Sequence, residues 1–286
     1  MQNDLKIHLS GILNEDICSM SPVHGGDIST AYKIETATNA YFLKTNQASS
    51  ALTMFEIEAN GLNLIGSTNT IKTPKVLFCN RFGNHAFLLM EFIESKSPSA
   101  KDFEHLGQQL AQLHQCSSKN FGLETDNFIG SLPQSNTQHS NWVDFYIHER
   151  LQPQFKLAHQ KHLLTSSEIP SVKKMNNSLS PLFKNIKPSL LHGDLWSGNY
   201  LISKDGTPYL IDPAVYFGHN EVDIAMSKLF GGFGESFYQS YVEIFPFSDE
   251  TSARIDIYQL YYLLVHLNLF GNSYRNSVKT ILEKYF

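Results

Sequence analysis

Three cysteines in 286 residues, Cys18, Cys79 and Cys116, are too scattered and too odd in number for a disulfide framework or a CxxC metal site. They read as reduced thiols. Basic residues are also scarce, with 22 Lys and Arg against 27 Asp and Glu, for a formal net charge of -5. Without a global basic field, neither a nucleic acid nor an anionic membrane is an expected partner. Long apolar runs are missing as well. The opening stretch MQNDLKIHLSGILNED breaks every apolar run with polar residues and so lacks the core of a signal peptide, and a cytoplasmic location is expected. The most apolar long stretch, 255–271, carries Asp256, Gln259, His266 and Asn268, which suits a buried helix rather than a membrane span. No repeat or low-complexity tract is present. What remains is a chain with 42% apolar residues, long enough for one large domain or two lobes with real cores, and expected to be a monomer.

The hydrophobic period changes near residue 90. Before it, 17–23, 29–35 and 41–44 read as short strands, separated by the turn signals His24-Gly25-Gly26-Asp27 and Thr38-Asn39. One helix follows, then strands at 75–78 and 87–90. Beyond Glu94 the pattern is mostly helical, beginning with Phe103, Leu106, Leu110 and Leu113, whose spacings of three and four mark one apolar face. The exception is a hairpin over 200–211. The expected fold class is α+β and bilobal: a small β-rich N-terminal lobe at 1–93 and a larger, mostly helical lobe at 94–286. Glu91-Phe92-Ile93-Glu94 is the expected connector, and a cleft between lobes is the default ligand site.

The densest chemistry lies in Leu190-Leu191-His192-Gly193-Asp194-Leu195-Trp196-Ser197-Gly198-Asn199, followed by strand-like Tyr200-Leu201-Ile202 and then Leu210-Ile211-Asp212-Pro213. If 200–203 and 208–211 pair across the Asp205-Gly206 turn, Asp212 returns beside Asn199, at the loop that holds Asp194. Two acids and an amide would then converge. Phosphoryl transfer needs such a set: one carboxylate to orient the attacking hydroxyl and take its proton, and hard oxygen ligands for magnesium on the phosphates. The order His-x-Asp-x4-Asn, then a strand-borne Asp, resembles the catalytic and metal-binding loops of kinases. That likeness gives Asp194 the role of base, Asn199 and Asp212 those of Mg2+ ligands, and His192 that of a structural brace. Pro213-Ala214 stands where protein kinases carry Phe-Gly, and no Ala-Pro-Glu segment closes a long activation loop, which argues against a protein substrate.

In the first lobe, Gly25 and Gly26 sit between two strands, where bare backbone could approach a nucleotide phosphate, although the loop is not a full Gly-x-Gly-x-x-Gly. Lys44 ends the strand Tyr41-Phe42-Leu43, the usual place for a lysine that reaches the α- and β-phosphates of ATP. Its partner follows from helix geometry. Ala51, Phe55, Leu62 and Ile65 form an apolar stripe, and Glu58 fills the gap in it, whereas Glu56 lies about 200° around the helix and faces solvent. A carboxylate on an inward stripe is costly unless paired, so a Lys44–Glu58 ion pair is expected. Glu91 and Ile93 of the connector are expected to border the nucleotide.

With these residues in place, the sequence resembles the fructosamine (ketosamine) kinase family, within the wider group that includes aminoglycoside and choline kinases. The likeness rests on the Trp between Asp194 and Asn199, on Asp126-Asn127-Phe128-Ile129-Gly130, on Trp142-Val143-Asp144-Phe145-Tyr146 with Arg150-Leu151, and on Tyr216 through Met226. Leu229-Phe230-Gly231-Gly232-Phe233 and His266-Leu267-Asn268-Leu269-Phe270-Gly271 extend it. The resemblance implies a protein-kinase-like fold, ATP and Mg2+ as cofactors, and transfer of phosphate to the third-carbon hydroxyl of a ketosamine, free or on a protein lysine. Trp196 and His266 become candidate substrate contacts, and Asp223 a brace of the catalytic loop. Some relatives carry a cysteine in the phosphate loop. Here that stretch reads Gly25-Gly26-Asp27-Ile28, so disulfide regulation through it is not expected. Another small-molecule kinase of the aminoglycoside and choline group, or a nucleotide-binding protein without catalysis, stays open at this point.

Overall fold

A computed structural model of the chain describes residues 2–23 and 29–286, with the side chains of residues 2 and 3 left aside. By its internal contacts the chain divides into two compact units, Met1–Pro98 with Tyr200–Pro213, and Ser99–Asn199 with Ala214–Phe286.

The first unit begins with helix α1 (Gln2–Leu13) and strands β1 (Ser19–Val23), β2 (Thr30–Glu35) and β3 (Ala40–Asn46). Helix α2 (Ala51–Ser67) and strands β4 (Val76–Phe82) and β5 (His85–Glu91) follow. The strands form one antiparallel sheet in the order β1-β2-β3-β5-β4. Its interior strand β5, between β3 and β4, reads His-Ala-Phe-Leu-Leu-Met-Glu, without polar alternation, because both faces are covered. Phe87 and Leu89 join Leu5, Leu9, Ile17, Ile34 and Leu43 on the α1 side, while Ala86, Leu88 and Met90 join Ala51, Phe55, Ala59 and Leu62 on the α2 side. Helix α1 is not among the sequence expectations. Leu5, Leu9 and Ile12 carry its signal, at spacings of four and three, inside a stretch whose polar residues drew the attention. Strand β3 also runs two residues past Lys44, so the lysine lies within the strand rather than at its end.

The second unit starts with α3 (Ala100–Gln115), whose N-terminus carries a reciprocal cap: Ser99 Oγ accepts from Asp102 N, and the Asp102 carboxylate accepts from Ser99 N. Then come β6 (Asn127–Ile129), β7 (Leu132–Gln134), α4 (Trp142–Phe145), a π-helical turn at Tyr146–Leu151, α5 (Gln152–Gln160), α6 (Val172–Leu179) and β8 (Ser189–Leu191). Strands β9 (Tyr200–Ile202) and β10 (Pro208–Leu210) belong to the first unit. The chain returns with β11 (Tyr216–Gly218), α7 (Glu221–Leu229), α8 (Glu235–Val242), α9 (Thr251–Phe270) and α10 (Arg275–Tyr285). Helix α9 is buried on nearly all sides, as its apolar run suggested. No helix of the described residues is long and apolar enough to cross a membrane.

Two features of this layout differ from the sequence reading. The second unit contains the antiparallel pairs β6–β7 and β8–β11, which were not expected. Three-residue strands are too short to show an alternation of period two, and β8 finds its partner far along the chain. The hairpin over 200–211 forms, with Tyr200 opposite Leu210 and Ile202 opposite Pro208, but it groups with the first unit. Backbone hydrogen bonds tie it there: Lys96 N donates to Ile202 O at 2.9 Å, Lys204 N to Glu94 O at 3.0 Å, and Leu210 N to Lys72 O at 2.9 Å. The contact boundary accordingly falls after Pro98, whereas the sequence reading divides the chain between 93 and 94.

Candidate active site

In the first unit, the sheet and α2 bring Lys44 to Glu58. Lys44 Nζ lies 2.7 Å from Glu58 Oε1, and it also contacts Asp212 Oδ1, on the segment that leaves β10. Glu58 replaces an apolar residue on the stripe that packs toward the sheet, while Glu56 is exposed. Burial alone would favour the neutral amine of Lys44, but the two carboxylates outweigh it and hold the ammonium charged. Burial raises the Glu58 carboxyl, Lys44 pulls it back, and the nearby Asp212 adds to the rise. Two carboxyl groups therefore share one cation, and Glu58, the more deeply buried of the two, is pushed toward its neutral form while Asp212 keeps the more open position. Asp212 has φ +53°, a left-handed conformation that aspartate tolerates better than most residues, and its side chain keeps 35% of its surface. Glu91 is exposed and accepts from Lys75 N at 3.2 Å, and Ile93 is buried. Gly25 and Gly26 lie outside the described residues.

In the second unit, β8 delivers the chain to His192 and the loop that follows. Asp223, near the start of α7 and fully buried, accepts from His192 N at 2.8 Å and from Gly193 N at 2.9 Å. A carboxylate that takes two successive backbone amides fixes the course of the loop at its start. His192 is buried, its Nδ1 accepts from Asp194 N at 3.2 Å, and its carbonyl accepts from Ala214 N at 2.9 Å. Gly193 has φ +85°, and a Cβ there would collide with Ala214 O, so no other residue fits. Tyr262 of α9 donates its hydroxyl proton to Gly193 O at 2.7 Å. Asp194 is half-buried, and Asn199 is buried with its Nδ2 donating to Asp194 O at 2.8 Å and Oδ2 at 3.3 Å. That arrangement turns the amide nitrogen of Asn199 to Asp194 and leaves Oδ1, a hard oxygen donor, pointing the other way.

Sequence reasoning missed His114 and Tyr262. His114, on α3, places Nε2 3.0 Å from Asp223 Oδ2 and Nδ1 2.7 Å from Tyr241 Oη, which itself accepts from Asn220 Nδ2 at 2.8 Å. Since the Asn220 amide donates to the phenol oxygen, the phenol proton goes to Nδ1, and Nε2–H donates to Asp223. Burial would raise the Asp223 carboxyl, but His114, the nearby His192 and the Gly193 amide outweigh it and hold it below its ordinary value. The signal for His114 was available. It lies four residues after Leu110 and eight after Leu106, on the buried face of α3, where a histidine needs a partner.

The two candidate substrate residues sit differently. Trp196 lays its ring on Gly198, where a Cβ would collide with the ring, yet 40% of the residue remains exposed. His266 is half-buried, with Nδ1 2.8 Å from Tyr262 O.

Comparison with known proteins agrees with this arrangement. The profile of the family described as fructosamine kinase matches residues 1–286. A Lactiplantibacillus plantarum protein named a probable ketoamine kinase is 40% identical over 272 residues, covering 94% of this chain and 95% of its own length. A chloroplastic protein-ribulosamine 3-kinase of Arabidopsis thaliana is 41% identical over 274 residues, covering 94% and 83%. Among solved structures, a Haemophilus somnus protein designated a fructosamine-3-kinase superposes with a TM-score of 0.89 at 30% identity, covering 99% of this chain and 96% of that one. An aminoglycoside phosphotransferase shares the fold alone, with a TM-score of 0.65 at 14% identity over 99% of each chain. The fold is protein-kinase-like. With a family profile that spans every residue and relatives matched over nearly their whole length, the chain belongs to the fructosamine kinase family and is an ATP-dependent kinase.

Proposed function

We propose that the protein phosphorylates the third-carbon hydroxyl of ketosamines, fructosamine or ribulosamine adducts, free or on a protein lysine, as a repair step against glycation. The observation that carries this reading is the loop from His192 to Asn199, whose backbone is clamped by Asp223 and Tyr262 while the Asp194 carboxylate stays half-open to an acceptor. In this reading Asp194 accepts the proton of the attacking hydroxyl, whose oxygen forms the new bond to phosphorus while ADP carries off the electron pair of the broken bond. Asn199 donates to both the backbone and the carboxylate of Asp194, and so holds the base in one rotamer.

The first unit serves the nucleotide. Lys44, anchored by Glu58, places a fixed positive charge for the phosphates. Gly25, Gly26, Glu91 and Ile93 are its further proposed nucleotide contacts. Mg2+ fits the donors present: magnesium prefers one or two carboxylate or amide oxygens and completes its shell with phosphate oxygens and water. Among the described residues there is no closed cage of three or more His, Cys, Asp or Glu side chains, in keeping with a metal that arrives with its nucleotide. Asp212, whose side chain keeps 35% of its surface, and Asn199 Oδ1 are its proposed ligands. When bound, the ion neutralises charge on the transferring phosphoryl group.

The acceptor is a compact sugar in this reading. Trp196, two residues from the base and exposed on the side away from Gly198, offers an aromatic face to the C–H surface of the sugar, which would set one hydroxyl toward Asp194. The test is a panel of fructosyl- and ribulosyl-amines, aminoglycosides, choline and free glucose incubated with Mg·ATP, with phosphorus NMR to locate the ester. Ketosamines should be esterified at the third carbon, and Asp194→Asn should lower turnover by about 10²–10⁴-fold with nucleotide binding retained. Transfer to an aminoglycoside or choline with none to any ketosamine would overturn the substrate assignment. Near-normal turnover by a folded Asp194→Asn protein would overturn the base.

A further inference from the structure

Four rings gather on the second unit beside the catalytic loop. His266 lies at the centre, with ring centroids 4.8 Å from Phe230, 5.5 Å from Phe270 and 5.1 Å from Tyr274. Two of these rings are left open, Phe230 at 42% and Phe270 at 54% exposure. Three observations place the group next to the base. Gly232, two residues after Phe230, approaches Ser197 so closely that a Cβ on it would collide with the serine. Tyr262, which holds Gly193 O, is one helical turn before His266 on α9. The Tyr262 carbonyl in turn contacts His266 Nδ1.

Resting on the proposed ketosamine kinase reading, we propose that Phe230, His266, Phe270 and Tyr274 receive the protonated amine of the ketosamine and the first carbons of its arm. In a ketosamine the amine nitrogen stands only four bonds from the third-carbon hydroxyl oxygen. A site for it must therefore adjoin the loop that carries Asp194, as this cluster does. A secondary alkylamine at neutral pH is an ammonium with N–H donors and carbon on both sides. The cluster matches both properties. The Tyr262 carbonyl can only accept, so His266 Nδ1 carries the ring proton and Nε2 is left as an acceptor for the N–H. Burial keeps this imidazole neutral by lowering its pKa. The open faces of Phe230 and Phe270 supply the cation–π and apolar contact.

The experiment is steady-state kinetics on the full chain with two acceptors that differ only at nitrogen, an N-alkyl fructosamine and its N-acetyl counterpart, whose nitrogen is uncharged and carries no donor. Phe230→Leu with Phe270→Leu keeps apolar volume but removes the π faces, and both positions are exposed, so folding should survive. His266→Gln serves as an independent second variant, and melting temperatures verify the fold of each. For the alkylated acceptor, KM should rise about three- to tenfold in the double variant, with kcat within about twofold. Wild type should use the acetylated acceptor poorly, and the substitutions should not change that. An unchanged KM for the alkylated acceptor in both variants, or an equal loss on both acceptors, overturns the amine site while leaving the ketosamine kinase reading intact. Wild type that phosphorylates no ketosamine at all overturns both.

Discussion

At the scale of single residues, the decisive group is the buried cation of Lys44 between two carboxylates. Lys44→Met leaves Glu58 and Asp212 facing each other without a counter-charge, and because the trio is only partly buried the loss should fall below the ~3–5 kcal/mol of a fully buried pair. The expected result is a lower melting temperature, a raised KM for ATP and a reduced kcat. Glu58→Ala should act in the same direction, because the lysine then leans on Asp212 alone, whereas the exposed Glu56→Ala should change little. A damaging Glu56→Ala would refute the helix register. Glu58 was readable from sequence because it interrupts an apolar stripe, and a charge in that place must be answered. The Asp212 contact was not. It joins residues 168 apart in the chain, and no local pattern announces a second acid on the same ammonium. The same holds for His114 and Asp223, which are 109 residues apart. The motif made Asp223 visible, and only the fold shows what balances it.

At the scale of elements, the turn after α9 decides whether the aromatic cluster exists. Helix α9 ends at Phe270, and Gly271 adopts φ +86° and ψ −158°, a combination that glycine alone visits freely. The chain then reverses through Asn272–Tyr274 and brings Tyr274 back beside His266. Space is not the constraint, since nothing lies within 4 Å of a Cβ built on Gly271. Conformation is. Gly271→Ala should therefore destabilise by about 1–3 kcal/mol through backbone strain alone, read as a fall in melting temperature. A melting temperature equal to wild type would show that the turn relaxes at no cost. Elements with a strong period were legible in the sequence: the α2 stripe, the apolar β5, and α9 as a buried helix. Those held together mainly by distant partners were not, as with β8 and β11. Helix α1 falls between these cases, having a clear stripe that its polar residues obscured.

At the scale of the whole molecule, the first unit is not one stretch of chain. Its sheet and both flanking helices come from the first 98 residues, but the β9–β10 hairpin and Asp212 arrive after the sequence has passed through the loop from His192 to Asn199. That has a consequence in time. At about 5–20 residues per second, residue 213 leaves the ribosome roughly 6–23 s after residue 98. For that interval the nascent sheet lacks the strands that bond Lys72, Glu94 and Lys96, and Lys44 has only one of its two acids. A fragment of residues 1–98 should accordingly exchange the amide protons of Lys96 and Leu89 faster than the full chain, and a fragment that carries residues 200–213 on a flexible linker should recover much of that protection. Equal exchange in both fragments would mean that the hairpin adds nothing to the sheet. If protection is restored, a ribosome that stalls between residues 98 and 213 would release a chain with its lysine in place and its fold unfinished, a substrate for quality control rather than a half-working enzyme.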